Sequence, residues 1–290
     1  MTPRMLLELG RTSNLPTVWS NVLAGALLSG AALSAGPLAL CAVVGSLFYV
    51  GGMLLNDAFD AEIDARERSD RPIPSGRVSR AEVFGYGFGL LAAGLCLLIL
   101  RVVVSGAGLG AVFAGLFTAI AIVAYDLWHK GRPWSPIVMG MCRAGLYAMG
   151  ALSVVPELMP SVWLGALSLL LYIVGLTHVA RFETRSALGR IWPALFVFAP
   201  SLLALAAALE LDFGSIALAL PWWLAANLWA AFSLKHALAG RIPRAVVSLI
   251  AGISLVDAMA MASHGARFLP WLALAAFGVT LLWQRKIRGT

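Results

Sequence analysis

Long apolar runs alternate with short polar breaks along this chain. Marked off by charges and prolines, the runs are 15–34, 37–58, 80–101, 105–126, 134–155, 160–180, 190–210, 215–234, 244–263 and 267–284. Each approaches the roughly 20 residues that a helix needs to cross a bilayer. The runs are rich in Leu and Ala and too long for barrel strands, so they predict helices. The expected fold is all-α, a polytopic transmembrane bundle of nine or ten helices, with residues 1–290 as one domain. Glycines inside the runs, such as Gly85, Gly87 and Gly89, suit close approach of helices.

Composition agrees with that pattern. Of the residues, 60% are hydrophobic and 12% charged, which is too apolar for a soluble domain. The net charge of +7 sits in the short breaks, so it reads as an orienting charge in a lipid bilayer and predicts no nucleic-acid partner. With ten spans, Arg11, Arg66, Arg71, Lys130, Arg181 and Lys235 fall on one side, and Arg101 and Arg267 on the other. This bias predicts an integral protein of the inner (plasma) membrane, with the loop around residues 59–79, the loops 127–133 and 181–190, and both termini in the cytosol. Cys41, Cys96 and Cys142 lie within apolar runs without metal-ligand spacing and read as small buried residues. No cleaved signal pattern precedes Arg11, so the first run is expected to be retained.

One stretch breaks the apolar texture. Of 14 acidic residues, Asp57, Asp60, Glu62, Asp64, Glu67 and Asp70 all fall between positions 57 and 70. Asp57, Asp60 and Asp64 are spaced i, i+3, i+7, which places them on one face of a helix, and Asn56 joins that face four residues before Asp60. Three like charges on one stripe repel unless a cation sits among them. Hard oxygen ligands favour Mg²⁺ or Ca²⁺, and an Mg²⁺ site of this kind leaves positions for water and for a phosphate-bearing substrate. The plain alternative is a solvated loop of mixed charge between two helices.

The run N-D-x-x-D-x-x-x-D from Asn56 to Asp64, followed by RPIPSGRVS from Arg71 to Ser79, resembles the first aspartate-rich motif of the UbiA superfamily of membrane prenyltransferases. RTSNLPTVWSNVLAG, Arg11 to Gly25, is similar to the start of that family's first helix, and YDLWHK, Tyr125 to Lys130, to the Tyr and Lys that close its fourth. ARFET, Ala180 to Thr184, and MCRAG around Arg143 resemble the branch found in Ebo-type gene clusters. The resemblance implies Mg²⁺-dependent transfer of a polyprenyl group from a prenyl diphosphate donor to a hydrophobic, aromatic or lipid acceptor. It implies Asn56, Asp57, Asp60 and Asp64 as metal ligands. Asp57, Asp60, Asp64, Lys130 and Arg143 would then be catalytic, and Asn14, Asn56, Arg71, Arg77, Tyr125 and Glu183 substrate-binding.

Several of these residues also have simpler readings. Arg77 and Lys130 suit anchoring at a membrane surface, and Asn14 suits helix capping. Arg143 lies well inside a span, where a charge is costly unless it has a partner; Glu183, Asp126 and the substrate diphosphate are candidates. Asp257 is also intramembrane, with no evident partner. The family's second aspartate-rich motif would fall at Thr177 to Arg190, THVARFETRSALGR, where Glu183 is the sole carboxylate. That departure keeps two rivals open. One is a non-catalytic polyprenyl-lipid binding or transport protein, and the other a phosphoribosyl transferase acting on polyprenyl phosphate.

Overall fold

The computed structural model describes residues 2–130, 132–182, 192–208 and 213–287. Among the described residues the chain is helical throughout. The elements are α1 (Pro3–Leu9), α2 (Leu15–Leu28), α3 (Ala35–Phe59), α4 (Ala61–Glu67), α5 (Arg80–Ser105), α6 (Gly110–Trp128), α7 (Ser135–Leu152), α8 (Pro160–Ala180), α9 (Ala199–Ala208), α10 (Phe213–Leu238), α11 (Ile242–Ala262) and α12 (Leu269–Gln284). Every apolar run becomes a helix, as α2, α3 and α5 to α12. Prolines in the first turn of α2, α7, α8, α11 and α12 start those helices where no backbone N–H is needed. Ser79 starts α5 by accepting the Glu82 N–H at 3.2 Å.

The boundaries moved where backbone chemistry overrode hydropathy. The first run was expected to reach residue 34, but α2 stops at Leu28, just before Gly30 turns left-handed at φ 74°. The run 190–210 is a 3-10 stretch, Trp192–Phe198, followed by α9. Helices α3, α5, α6, α8 and α11, with Ile216–Leu238 of α10, are long and apolar enough to cross a bilayer. Val103, Val104, Phe113, Leu202 and Trp271 point outward and exposed. An apolar exterior of this kind, on helices of that length, marks an integral membrane protein.

The aspartate stretch departs from the continuous helix that the i, i+3, i+7 spacing predicts. α3 ends at Phe59, Asp60 is the junction, and α4 runs on from Ala61. Asp60 N–H still bonds Asn56 C=O at 2.9 Å, and Asp64 N–H bonds Asp60 C=O at 2.8 Å, so the break is mild. RPIPSGR forms the expected tight turn, with Arg77 N–H on Pro72 C=O at 3.0 Å and Gly76 at φ 74°. That turn folds Arg71 back towards the aspartates.

Two apolar cores share α2 and α7. One holds Tyr147, Leu169, Tyr172 and Leu249; the other holds Val18, Phe48, Leu55 and Leu98. α2 and α7 approach so closely that a Cβ at Gly25 would overlap the Tyr147 backbone, and one at Gly150 the Val22 backbone. This contact sets the polar face of α2 against α7 beside the site.

Candidate active site

A cavity of about 710 Å³ opens among α3, α6, α7, α8 and α11. Its mouth is charged: Arg11, Asn56, Asp60, Asp64, Arg68, Arg71, Lys130, Arg132 and Arg181 line it. Deeper walls are apolar, with Met139, Ile173, Leu176, Val246, Ile250 and Ile253.

The aspartates are buried, and each is met by a cation. Asp57 accepts from Arg11 Nη2 at 3.0 Å and from Arg71 Nη1 at 3.2 Å. The same Arg71 nitrogen reaches Asp64 at 2.7 Å, so one guanidinium ties α3 to α4. Asp60 faces Lys130 Nζ at 3.0 Å and His129 Nε2 at 3.4 Å. Burial pushes the Asp60 carboxyl up, but the hydrogen bonds and charges of His129 and Lys130 outweigh it and hold it below its ordinary value. Asn56 donates its amide to Asp126 at 3.1 Å, which turns its carbonyl oxygen away from that carboxylate; the second oxygen of Asp126 is buried without a partner.

The four expected metal ligands are thus each engaged by protein groups. Among the described residues, no group of three His, Cys, Asp or Glu side chains stands ready to cage an ion. Arg71 lies between Asp57 and Asp64 and bonds both. The donor chemistry still fits Mg²⁺, which takes one or two carboxylates and fills its octahedron with water and substrate phosphate. Asp60, Asp64 and Asn56 offer hard oxygen donors on one cavity wall, whereas Asp57, the other expected ligand, lines the adjoining hollow beside Arg11 and Arg71.

The other expected site residues divide. Lys130, Arg71, Asn14, Tyr125 and Arg143 line the cavity. Tyr125 stacks on His129 at 4.8 Å. Asn14 makes no capping hydrogen bond; it is buried, donates to Tyr49 Oη at 3.0 Å and accepts from Gln284 at 2.9 Å. Arg77 lies outside the main cavity. It bonds Asp70 C=O at 2.7 Å and Ser75 Oγ at 3.0 Å, and lines an adjoining hollow with Glu8, Asp70 and Lys286. Glu183 lies outside the described residues.

Among the described residues Arg143 has neither the Asp126 partner nor a simple ion pair. Its Nη1 donates to Thr17 Oγ1 at 3.1 Å and Asn21 Oδ1 at 2.9 Å, and the guanidinium sits 5.4 Å from the Tyr49 ring centre. Asn21 in turn donates to both oxygens of Asp257, at 3.0 and 2.8 Å. Ser20 at 2.5 Å and Tyr147 at 2.6 Å complete the Asp257 shell. Sequence reading missed Thr17, Asn21, Tyr49, His129 and Tyr147. A signal for the first two was present: Asn14, Thr17 and Asn21 repeat i, i+3, i+7, a polar stripe on an otherwise apolar helix.

Residues 15–238 match the sequence profile of the UbiA prenyltransferase family. A digeranylgeranylglyceryl phosphate synthase from Methanopyrus kandleri is 35% identical over 191 residues, 64% of this chain and 67% of that protein. A protein of the same name from Methanothrix thermoacetophila is 36% identical over 133 residues, 44% of this chain and 46% of that one. The fold is that of a UbiA homologue from Aeropyrum pernix K1, with TM-score 0.68 at 19% identity over 86% of this chain and 96% of that one. A UbiA homologue from Archaeoglobus fulgidus, solved with GPP and Mg²⁺ bound, gives TM-score 0.64 at 14% identity over 90% of this chain and 100% of that one. The aspartate-lined cavity thus sits in a chain that belongs to the UbiA prenyltransferase family.

Proposed function

We propose that this protein, as one domain over residues 1–290, transfers a prenyl group from a prenyl diphosphate to an acceptor inside the membrane. One observation carries the reading: a single cavity joins an oxygen- and cation-rich mouth to an apolar interior. A prenyl diphosphate has the matching polarity, with an anionic head and a hydrocarbon tail. We place the mouth on the cytosolic side, following the charge bias of the loops.

Asp60, Asp64 and Asn56 would hold Mg²⁺, and Lys130, Arg68, Arg71 and Arg132 would meet the remaining diphosphate oxygens. When bound, Mg²⁺ supplies positive charge against the diphosphate as it departs. The chain's own cations act in the same sense from fixed positions. Ile173, Leu176, Val246, Ile250 and Ile253 take the tail and keep water from the allylic carbon. The relatives' name, digeranylgeranylglyceryl phosphate synthase, favours a lipid acceptor over an aromatic one.

The test is diphosphate release by the purified protein in detergent. The assay supplies Mg²⁺, a series of prenyl diphosphates, and both geranylgeranylglyceryl phosphate and aromatic acids as acceptors. Release that needs Mg²⁺, an acceptor and Asp60 (lost in Asp60→Ala) is the expected result, and the product mass names the acceptor. The binding or transport reading has one observation in its favour: Arg11 and Arg71 together already balance the charges of Asp57 and Asp64. Tight Mg²⁺-dependent binding of the donor with no release under any acceptor would select that reading instead.

A further inference from the structure

Arg143 differs from the cations at the mouth. Arg11, Arg71 and Lys130 each touch a carboxylate, and Arg181 at the rim spends its Nη2 on the Arg132 carbonyl and the Ser135 hydroxyl. Among the described residues Arg143 touches uncharged groups, namely Thr17, Asn21 and the face of Tyr49. It is 8% exposed and lines the cavity. Both of its hydrogen bonds use Nη1. Among the described residues Nε and Nη2 have no hydrogen-bond partner, yet neither is sealed from the cavity. These two nitrogens form one edge of a planar fork, the geometry that takes two neighbouring oxygens at once.

The edge is also held in place. A carboxylate only accepts, so Asp257 fixes the Asn21 amide with its NH₂ inward and its oxygen on Arg143. Ser20 and Tyr147 fix Asp257. Charge balance for Arg143 therefore arrives through Asn21, and the free edge stays open. Tyr49, which lies against the guanidinium, precedes Asn56 on α3 by about 10 Å of helix, so this edge lies below the mouth.

We propose that the Nε–Nη2 edge of Arg143 is the docking point for the acceptor's polar head. The head is a group with two neighbouring oxygens: a carboxylate, a phosphate, or adjacent neutral oxygens. Asn21 and Asp257 are its positioning residues. The inference rests on the prenyl-transfer reading, since it divides one cavity into a donor mouth and an acceptor floor. A fork placed beside the reacting carbon would orient the acceptor's nucleophile.

The experiment measures binding to the full-length protein in detergent by intrinsic Trp fluorescence. The probes are 4-hydroxybenzoate (a carboxylate) and glycerol phosphate (a phosphate) as the anionic pair, catechol (two neutral neighbouring oxygens) and phenol (one oxygen). A non-hydrolysable geranyl thiodiphosphate with Mg²⁺ is measured in parallel. The wild type should bind at least one of the first three about tenfold more tightly than phenol. Arg143→Gln and Arg143→Lys should both erase that preference, because Lys keeps the charge but loses the fork. Donor-analogue affinity should stay within about twofold in both variants. A preference for either anion over catechol names an anionic acceptor head, and parity names a neutral one; both support the site. The inference is overturned if the wild type does not discriminate among the probes, or binds none of them. It is also overturned if the variants keep the preference while losing the donor analogue, which would assign Arg143 to the diphosphate. Failure of the wild type to bind the donor analogue would sink the prenyl-transfer reading separately. If Arg143→Gln does not fold, Arg143→Lys with an unchanged melting temperature decides alone.

Discussion

Arg71 bonds two carboxylates from two helices with one nitrogen, and its loss would leave buried Asp64 without its cation and Asp57 with Arg11 alone. Arg71→Ala is expected to destabilise the protein by about 2–3 kcal/mol, read by thermal denaturation in detergent, since removing one partner of a buried pair costs more than the pair contributes. Lys130 acts on Asp60 alone. The Asp60 carboxyl is held below its ordinary value, so its paired form persists at neutral pH and is lost as pH falls through that lowered value. Lys130→Ala should move the acid limb of the kcat/KM profile to higher pH; an unmoved limb would separate Lys130 from Asp60. Motif reading located both residues from local sequence. It did not locate Asn21 or His129, because an amide or imidazole gains significance only from what packs against it.

At the scale of elements, the contact between α2 and α7 decides where Arg143 points. Thr17 and Asn21 come from α2, and Arg143 from α7. Gly25 and Gly150 let the two backbones touch. Gly150→Leu should force them apart, lower the melting temperature by several degrees, and remove the paired-oxygen preference together with it. Asp257→Asn is gentler. It keeps the volume but lets the Asn21 amide turn its NH₂ towards Arg143, so it should weaken acceptor KM about tenfold with donor KM unchanged. An equal loss in both would make the α2–α7–α11 network merely structural. The break at Asp60 belongs to the same scale. Spacing alone predicted one continuous face, whereas the helix restarts at Ala61 and the turn at Gly76 brings Arg71 in between.

For the whole molecule, the carboxylates do not cage an ion among the described residues; protein cations hold them. Chelation of Mg²⁺ should therefore leave helical circular dichroism and the melting temperature unchanged while abolishing binding of the thiodiphosphate. A collapse of the fold on chelation would instead make the metal structural. The bundle is stabilised by its apolar cores and by lipid-facing helices, so loading the mouth has little leverage over the fold.

Hydropathy along the chain was sufficient to place the long helices, though not their ends or the short α1 and α4, since crossing a bilayer demands about 20 apolar residues whatever the neighbours are. The charged stretch was equally legible as a break in the apolar pattern, because its carboxylates lie within a few turns of one segment. Which charges meet which was not legible. Arg143 on Asn21 and Asn21 on Asp257 join positions 122 and 236 residues apart in sequence. Only packing brings such residues together. In an apolar interior, where water cannot satisfy a guanidinium or a carboxylate, that packing decides which groups are spent on structure and which remain open to a substrate.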